Sequence, residues 1–98
     1  MIIRLFRAKP KAGSVDELVK IAREVSIPFV DGHPGLVARY AGKGLGDTGD
    51  ELVMISVWES LEAMKGMTGE HWETEVLPDA RLSQLIAESS VRHYEPLE

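Results

Sequence analysis

The chain has 98 residues, a net charge of −5 at neutral pH and no cysteine. That length makes one domain, residues 1–98, and the missing cysteines remove disulfides, thiolate metal sites and cysteine nucleophiles together. The acidic balance argues against nucleic acid, since phosphate backbones favour basic surfaces.

The first expected strand runs from Ile2 to Arg7, with Ile3, Leu5 and Arg7 on one face and Ile2, Arg4 and Phe6 on the other. Arg4 and Arg7 interrupt its apolar run too early for a signal-peptide core. No later run reaches the roughly 20 apolar residues that span a bilayer, so a cytoplasmic protein without a membrane partner is expected. Ser14 with Glu17 has the spacing of a capping box. Val15, Leu18, Val19, Ala22, Val25 and Phe29 then follow at helical spacing, and Pro28 closes or kinks the helix.

Asp31 to Gly35 reads as a turn, Leu36 to Ala41 as an edge strand and Gly42 to Asp50 as a glycine-rich connection. Leu52 to Trp58 is the most apolar strand, with both faces asking for burial. Ser60 is the expected N-cap of a helix carrying Leu61, Met64 and Met67. Glu70 to Leu77 is expected to add a helical turn or two before Pro78. Asp79 would cap a short helix bearing Leu82, Leu85 and Ile86, and Ser90 to Glu95 alternates as the last strand.

The order strand, helix, strand, strand, helix, strand is the α+β, ferredoxin-like βαββαβ arrangement of an antiparallel sheet. Its first and third strands form the inner pair, and these are the two most apolar strands here. Helices cover one sheet face only. Val53, Ile55 and Val57 oppose Leu52, Met54 and Trp58, so the second face needs a cover, and a twin sheet in a homodimer supplies one.

The segment Glu51-Leu52-Val53-Met54-Ile55-Ser56-Val57-Trp58-Glu59-Ser60-Leu61-Glu62-Ala63 resembles a strand-to-helix segment of the antibiotic biosynthesis monooxygenase superfamily. His33-Pro34-Gly35-Leu36-Val37 is similar to its entry into the second strand. Gly69-Glu70-His71-Trp72 and Val91-Arg92-His93-Tyr94-Glu95 resemble a subgroup of short members. The resemblance implies a dimeric α/β barrel. It also implies a cofactor-independent monooxygenase-like enzyme acting on a small aromatic or quinol compound, with no flavin or metal. Haem-degrading relatives use an Asn on the first strand, and this chain has no Asn at any position. The alternative is a non-catalytic homodimeric module that binds a small apolar ligand or serves a structural role.

Under the enzyme reading His71 is the base and Trp72 part of the pocket wall; otherwise His71 is a surface histidine and Trp72 core packing. Phe29, Met64 and Met67 would line a cavity between helices and sheet, or simply fill the core. The first strand pairs with the last in this fold, which brings Arg4 near either the Val91, His93 and Glu95 set or the Arg92 and Tyr94 set. An inward-facing arginine or histidine there would need a partner and be a binding-site candidate; an outward-facing one is an ordinary edge charge. Strand parity alone leaves their direction open. Trp58 reads as a fold anchor. His71 and Glu75 are spaced i, i+4, but one histidine among carboxylates reads as a solvated turn rather than a metal site. Gly44-Leu45-Gly46-Asp47-Thr48-Gly49 matches the dinucleotide fingerprint in letters. A strand follows it where that fingerprint needs a helix N-terminus, so it reads as a hairpin connection.

Overall fold

A computed structural model describes residues 1–98. Strands β1 (Ile2–Pro10), β2 (Leu36–Lys43), β3 (Leu52–Trp58) and β4 (Ile86–Tyr94) form one antiparallel sheet in the order β2-β3-β1-β4. This is the ferredoxin-like arrangement, with β1 and β3 as the inner pair. Leu5 lies opposite Ile55, and Arg4 lies between Ser56 on one side and His93 on the other.

Helices α1 (Val15–Ile21) and α2 (Ile27–Asp31) make one rod joined by a π-helical stretch, Ala22–Ser26. The Ile27 N–H donates to Ala22 O, five residues back. Pro28 has no N–H and its ring crowds the preceding turn, so the widened stretch lets the rod continue past it instead of ending. Helix α3 (Leu61–Thr68) starts at Ser60, whose hydroxyl accepts from the Ala63 N–H at 3.1 Å. Helix α4 (Leu82–Leu85) is a single turn.

Four local expectations change. Ser14 makes no side-chain cap, so the capping box does not form. Glu70 to Leu77 contains turns but no helix. Ile86 opens β4 rather than sitting on the preceding helix, because β4 pairs with β1 as far as Pro10. Strand β1 correspondingly extends to Pro10, three residues beyond the expected Arg7.

The helices cover the sheet face that carries Arg4, Ala8, Ser56 and Trp58, all buried. Two small cores form there, Leu18, Ile21 and Leu82 at one end and Val30, Trp58 and Met64 at the other. Trp58 is fully enclosed, and its indole N–H donates to Ser56 Oγ at 2.9 Å, so the anchor carries no unpaired donor. Gly35 holds the turn before β2 against α3, with φ of +87° and its carbonyl accepting from Glu59 N–H at 2.9 Å. No helix is long and apolar enough to cross a membrane.

Candidate active site

Between the two cores the helical rod and the sheet enclose a cavity of about 320 Å³, bordered by members of both. Of its 24 lining residues 17 are hydrophobic, among them Phe6, Phe29, Met54 and Met67. The 3.6-residue period of the rod turns Leu18, Ala22 and Phe29 toward the period-two face of the strands, and the space is what their side chains leave unfilled. Val76, Leu77 and Pro78 supply part of the wall from the irregular segment after α3.

One wall carries an unusual group. Arg4 projects from β1 onto the helix side and is only 3 % exposed. Its Nη1 donates to Trp72 O at 2.6 Å and meets His93 Nε2 at 2.9 Å, and its Nη2 donates to Thr74 O at 2.9 Å. Arginine has hydrogen-bond donors only, so the lone pair belongs to His93 Nε2 and the proton of the neutral ring sits on Nδ1. The Trp72 ring stands edge-on to the His93 ring, with centroids 4.8 Å apart. A half-buried imidazole between strand and indole thus helps orient a buried guanidinium.

The electrostatics follow from burial. Arg4 is pulled down to about 10 by the loss of water, an effect partly offset by the charge of Glu75. It still carries its proton at neutral pH. His93 is lowered from its ordinary value, first by burial and then by the Arg4 charge, against the opposing pull of Glu73. No carboxylate of the chain forms an ion pair with Arg4, although Arg7, Arg39 and Arg81 each have one.

Of the residues singled out in the sequence, Arg4, Phe29 and Met67 border the cavity. Met64 is fully buried in the core behind it, and Trp72 packs against that same core. His93 stands behind Arg4 rather than on the cavity wall. His71 is exposed and lies off the wall; its carbonyl accepts from the Thr74 N–H and hydroxyl at 3.2 and 2.8 Å. His33 Nδ1 meets Phe29 O at 2.7 Å. No histidine or carboxylate therefore borders the cavity, and no three His, Cys, Asp or Glu side chains converge in a way that could hold a metal.

Sequence reasoning did not single out Arg23 and Lys43, the other two charged residues on the wall. Arg23 follows Val19 by one helical turn, and that spacing was the available signal. The carbonyls of Trp72 and Thr74 have no signature in side-chain chemistry. The glycine-rich 44–49 connection holds a short 3₁₀ turn, Gly46–Thr48, and leads into β3.

A chain with this arrangement has structural counterparts. A Deinococcus radiodurans structure described as an antibiotic biosynthesis monooxygenase superposes with a TM-score of 0.76 at 17% identity, covering 100% of this chain and 94% of that one. A Nitrosomonas europaea structure under the same description gives 0.75 at 14% identity, with 100% of both chains covered. A Mycobacterium tuberculosis protein gives 0.74 at 17% identity over 99% of this chain and 95% of its own. At these identities they establish the fold alone. No curated protein matches the chain. The antibiotic biosynthesis monooxygenase family model matches residues 1–75, from β1 through α3 and the turn that supplies the carbonyl ligands of Arg4. The chain belongs to the antibiotic biosynthesis monooxygenase family.

Proposed function

We propose that the chain is a cofactor-independent, monooxygenase-like enzyme of the cytoplasm that acts on a small aromatic or quinol compound held in the cavity. The observation that carries this reading is an apolar cavity of ring-sized volume with a single deeply buried cation, Arg4, on its wall. Oxygenation of a phenol or quinol starts from the ionised ring, and a fixed positive charge at the wall favours that form. The substrate's own electrons reduce dioxygen, so the protein's part is to orient the ring, exclude water and hold the anion. In this reading His71 is not the base, because its ring is exposed and off the cavity wall; Arg4, a donor only, instead holds the ring that has already ionised. His93 and Trp72 act as positioning residues through Arg4.

The exposed sheet face supports a homodimer. Ile3, Leu5, Val53, Ile55 and Val57 lie there half-buried, flanked by Tyr40 at 65% and Tyr94 at 49% exposure. An apolar face of this kind on so small a chain asks for a second copy.

One observation favours a second reading, a binding module without catalysis: the cavity has no histidine or carboxylate to act as a base. Oxygen uptake with a panel of naphthoquinols and polycyclic phenols separates the two. The enzyme reading expects consumption above the spontaneous rate, largely lost in Arg4→Met and retained in His71→Ala. Uptake equal to buffer across the panel removes it and leaves the module.

A further inference from the structure

The Nε–H of Arg4 has no partner within the chain. A guanidinium carries five N–H donors. Both on Nη1 and one on Nη2 are engaged by Trp72 O, His93 Nε2 and Thr74 O. The two left over are Nε–H and the second N–H of Nη2, on the neighbouring nitrogens that take both oxygens of a carboxylate. The chain itself uses this edge three times: Arg7 with Glu51, Arg39 with Asp31 and Arg81 with Asp79 each pair through Nε and Nη2. Arg4, the most buried of the four, has no acid there. No enclosed polar side-chain atom of the chain lacks a partner. The unpartnered Nε is therefore not sealed within packed protein, and the cavity is the space that Arg4 borders.

The charge of the wall points the same way. Its three charged residues, Arg4, Arg23 and Lys43, are all cations; Lys43 pairs with Asp50 at 3.5 Å, whereas Arg4 has no ion-pair partner. A buried cation with no counter-ion is costly, and a ligand carboxylate would relieve that cost. Apolar surroundings require the rest of the ligand to be hydrocarbon.

We infer that the cavity binds apolar carboxylic acids, with the carboxylate bridging Nε and Nη2 of Arg4 and the hydrocarbon body lying among Phe6, Phe29, Met54 and Met67. A volume of about 320 Å³ is near the lower end of small-ligand pockets, roughly 300–1,000 Å³, and suits a one- or two-ring acid. The inference rests on the proposed function only in taking the same cavity as the ligand site, and it narrows the substrate class to ring acids.

Calorimetric titration of the full chain with 2-naphthoate and its neutral isostere 2-naphthamide tests it. The acid binds more tightly by about tenfold or more, the worth of a charge-assisted hydrogen-bond pair. In Arg4→Met, checked for fold by circular dichroism, the two ligands bind equally. A readout that needs no variant is the Arg4 Nε–H resonance, which shifts downfield on saturation with naphthoate and not with the amide. Equal affinity of acid and amide in the parent chain overturns the inference. So does a preference that survives Arg4→Met, or no binding of either compound at millimolar concentration. The oxygenase reading fails separately: acids that bind without oxygen uptake leave this inference standing, whereas turnover of neutral quinols with no acid preference removes it alone.

Discussion

Arg4 and His93 sit directly opposite each other on the neighbouring strands β1 and β4, and Nη1 of one meets Nε2 of the other at 2.9 Å. Because the hydrogen must come from the arginine, the contact exists only while the imidazole is neutral. Protonating His93 replaces an acceptor with a second cation beside a buried one.

That sets a pH dependence for stability. His93 is held below its ordinary value of 6.5, so as pH falls the unfolded chain takes up the proton first. The stabilisation is complete above that value and is lost as pH falls through the folded-state value. Besides Arg4, Glu73 and Glu75 are the charged groups whose fields reach this pair. His93→Gln keeps an acceptor without titrating. Urea midpoints measured at about pH 7.5 and about pH 5 should fall further for the parent chain than for His93→Gln. Equal losses would assign the acid sensitivity to other groups.

Gly35 gives a prediction in the turn before β2. A Cβ there would lie 2.5 Å from Ala63 Cβ, and φ is +87°, where side chains are strained. Gly35→Ala should cost roughly 2–4 kcal/mol, combining left-handed strain with overpacking. In a double-mutant cycle Ala63→Gly should recover the steric share but not the backbone share. Strictly additive effects would mean that the turn relaxes away from α3 instead.

The sheet topology was legible because the apolar residues are unevenly distributed. Leu52 to Trp58 has no polar face to spare, so it belongs at the centre beside β1, and that is its place. The anchoring role of Trp58 followed from the same pattern. The direction of Arg4 was not legible, because a strand that is apolar on both faces leaves parity unresolved. What resolves it is the Trp72 to Thr74 turn, whose carbonyls capture the guanidinium. Backbone acceptors in an irregular segment leave no trace in residue type. Sequence proximity similarly drew His71 toward Trp72, yet the indole turns inward to His93 while the His71 ring stays outside. The expected capping box at Ser14 shows the same limit, since its letters fit and its side chain makes no bond.

Haem should not bind tightly. The only histidine associated with the buried site uses Nε2 to accept from Arg4, and no histidine borders the cavity. An axial ligand would have to break that contact and leave Arg4 without it. Titration with haemin should give no saturating Soret shift at one equivalent. A stoichiometric shift abolished by His93→Gln would show that the pair opens readily and would make haem the leading ligand.

One face of the sheet is bare of helices. Leu5 on β1 pairs with Ile55 on β3, and Tyr40 on β2 flanks Ile55 from the other side. This row of apolar side chains points away from the helices. Half-exposed aliphatics and a tyrosine at 65% exposure make a poor boundary with water. Sedimentation at micromolar concentration should therefore give about twice the chain mass of 10.8 kDa. Ile55→Asp places a carboxylate in the middle of that face. In the dimer it would be buried without a partner, at a cost of roughly 3–5 kcal/mol, enough to shift the species to monomer. The separated chain keeps the charge in water, so its circular dichroism spectrum should stay that of the parent. Gln84→Asp is the control, since it puts the same charge on an exposed position of α4 on the helix side of the sheet. It should leave the mass unchanged. A monomeric parent chain would remove the dimer, and a dimeric Ile55→Asp would move the interface off this face. If Gln84→Asp dissociates as readily as Ile55→Asp, the contact runs through the helix layer instead, and the ligand cavity would then open toward the partner.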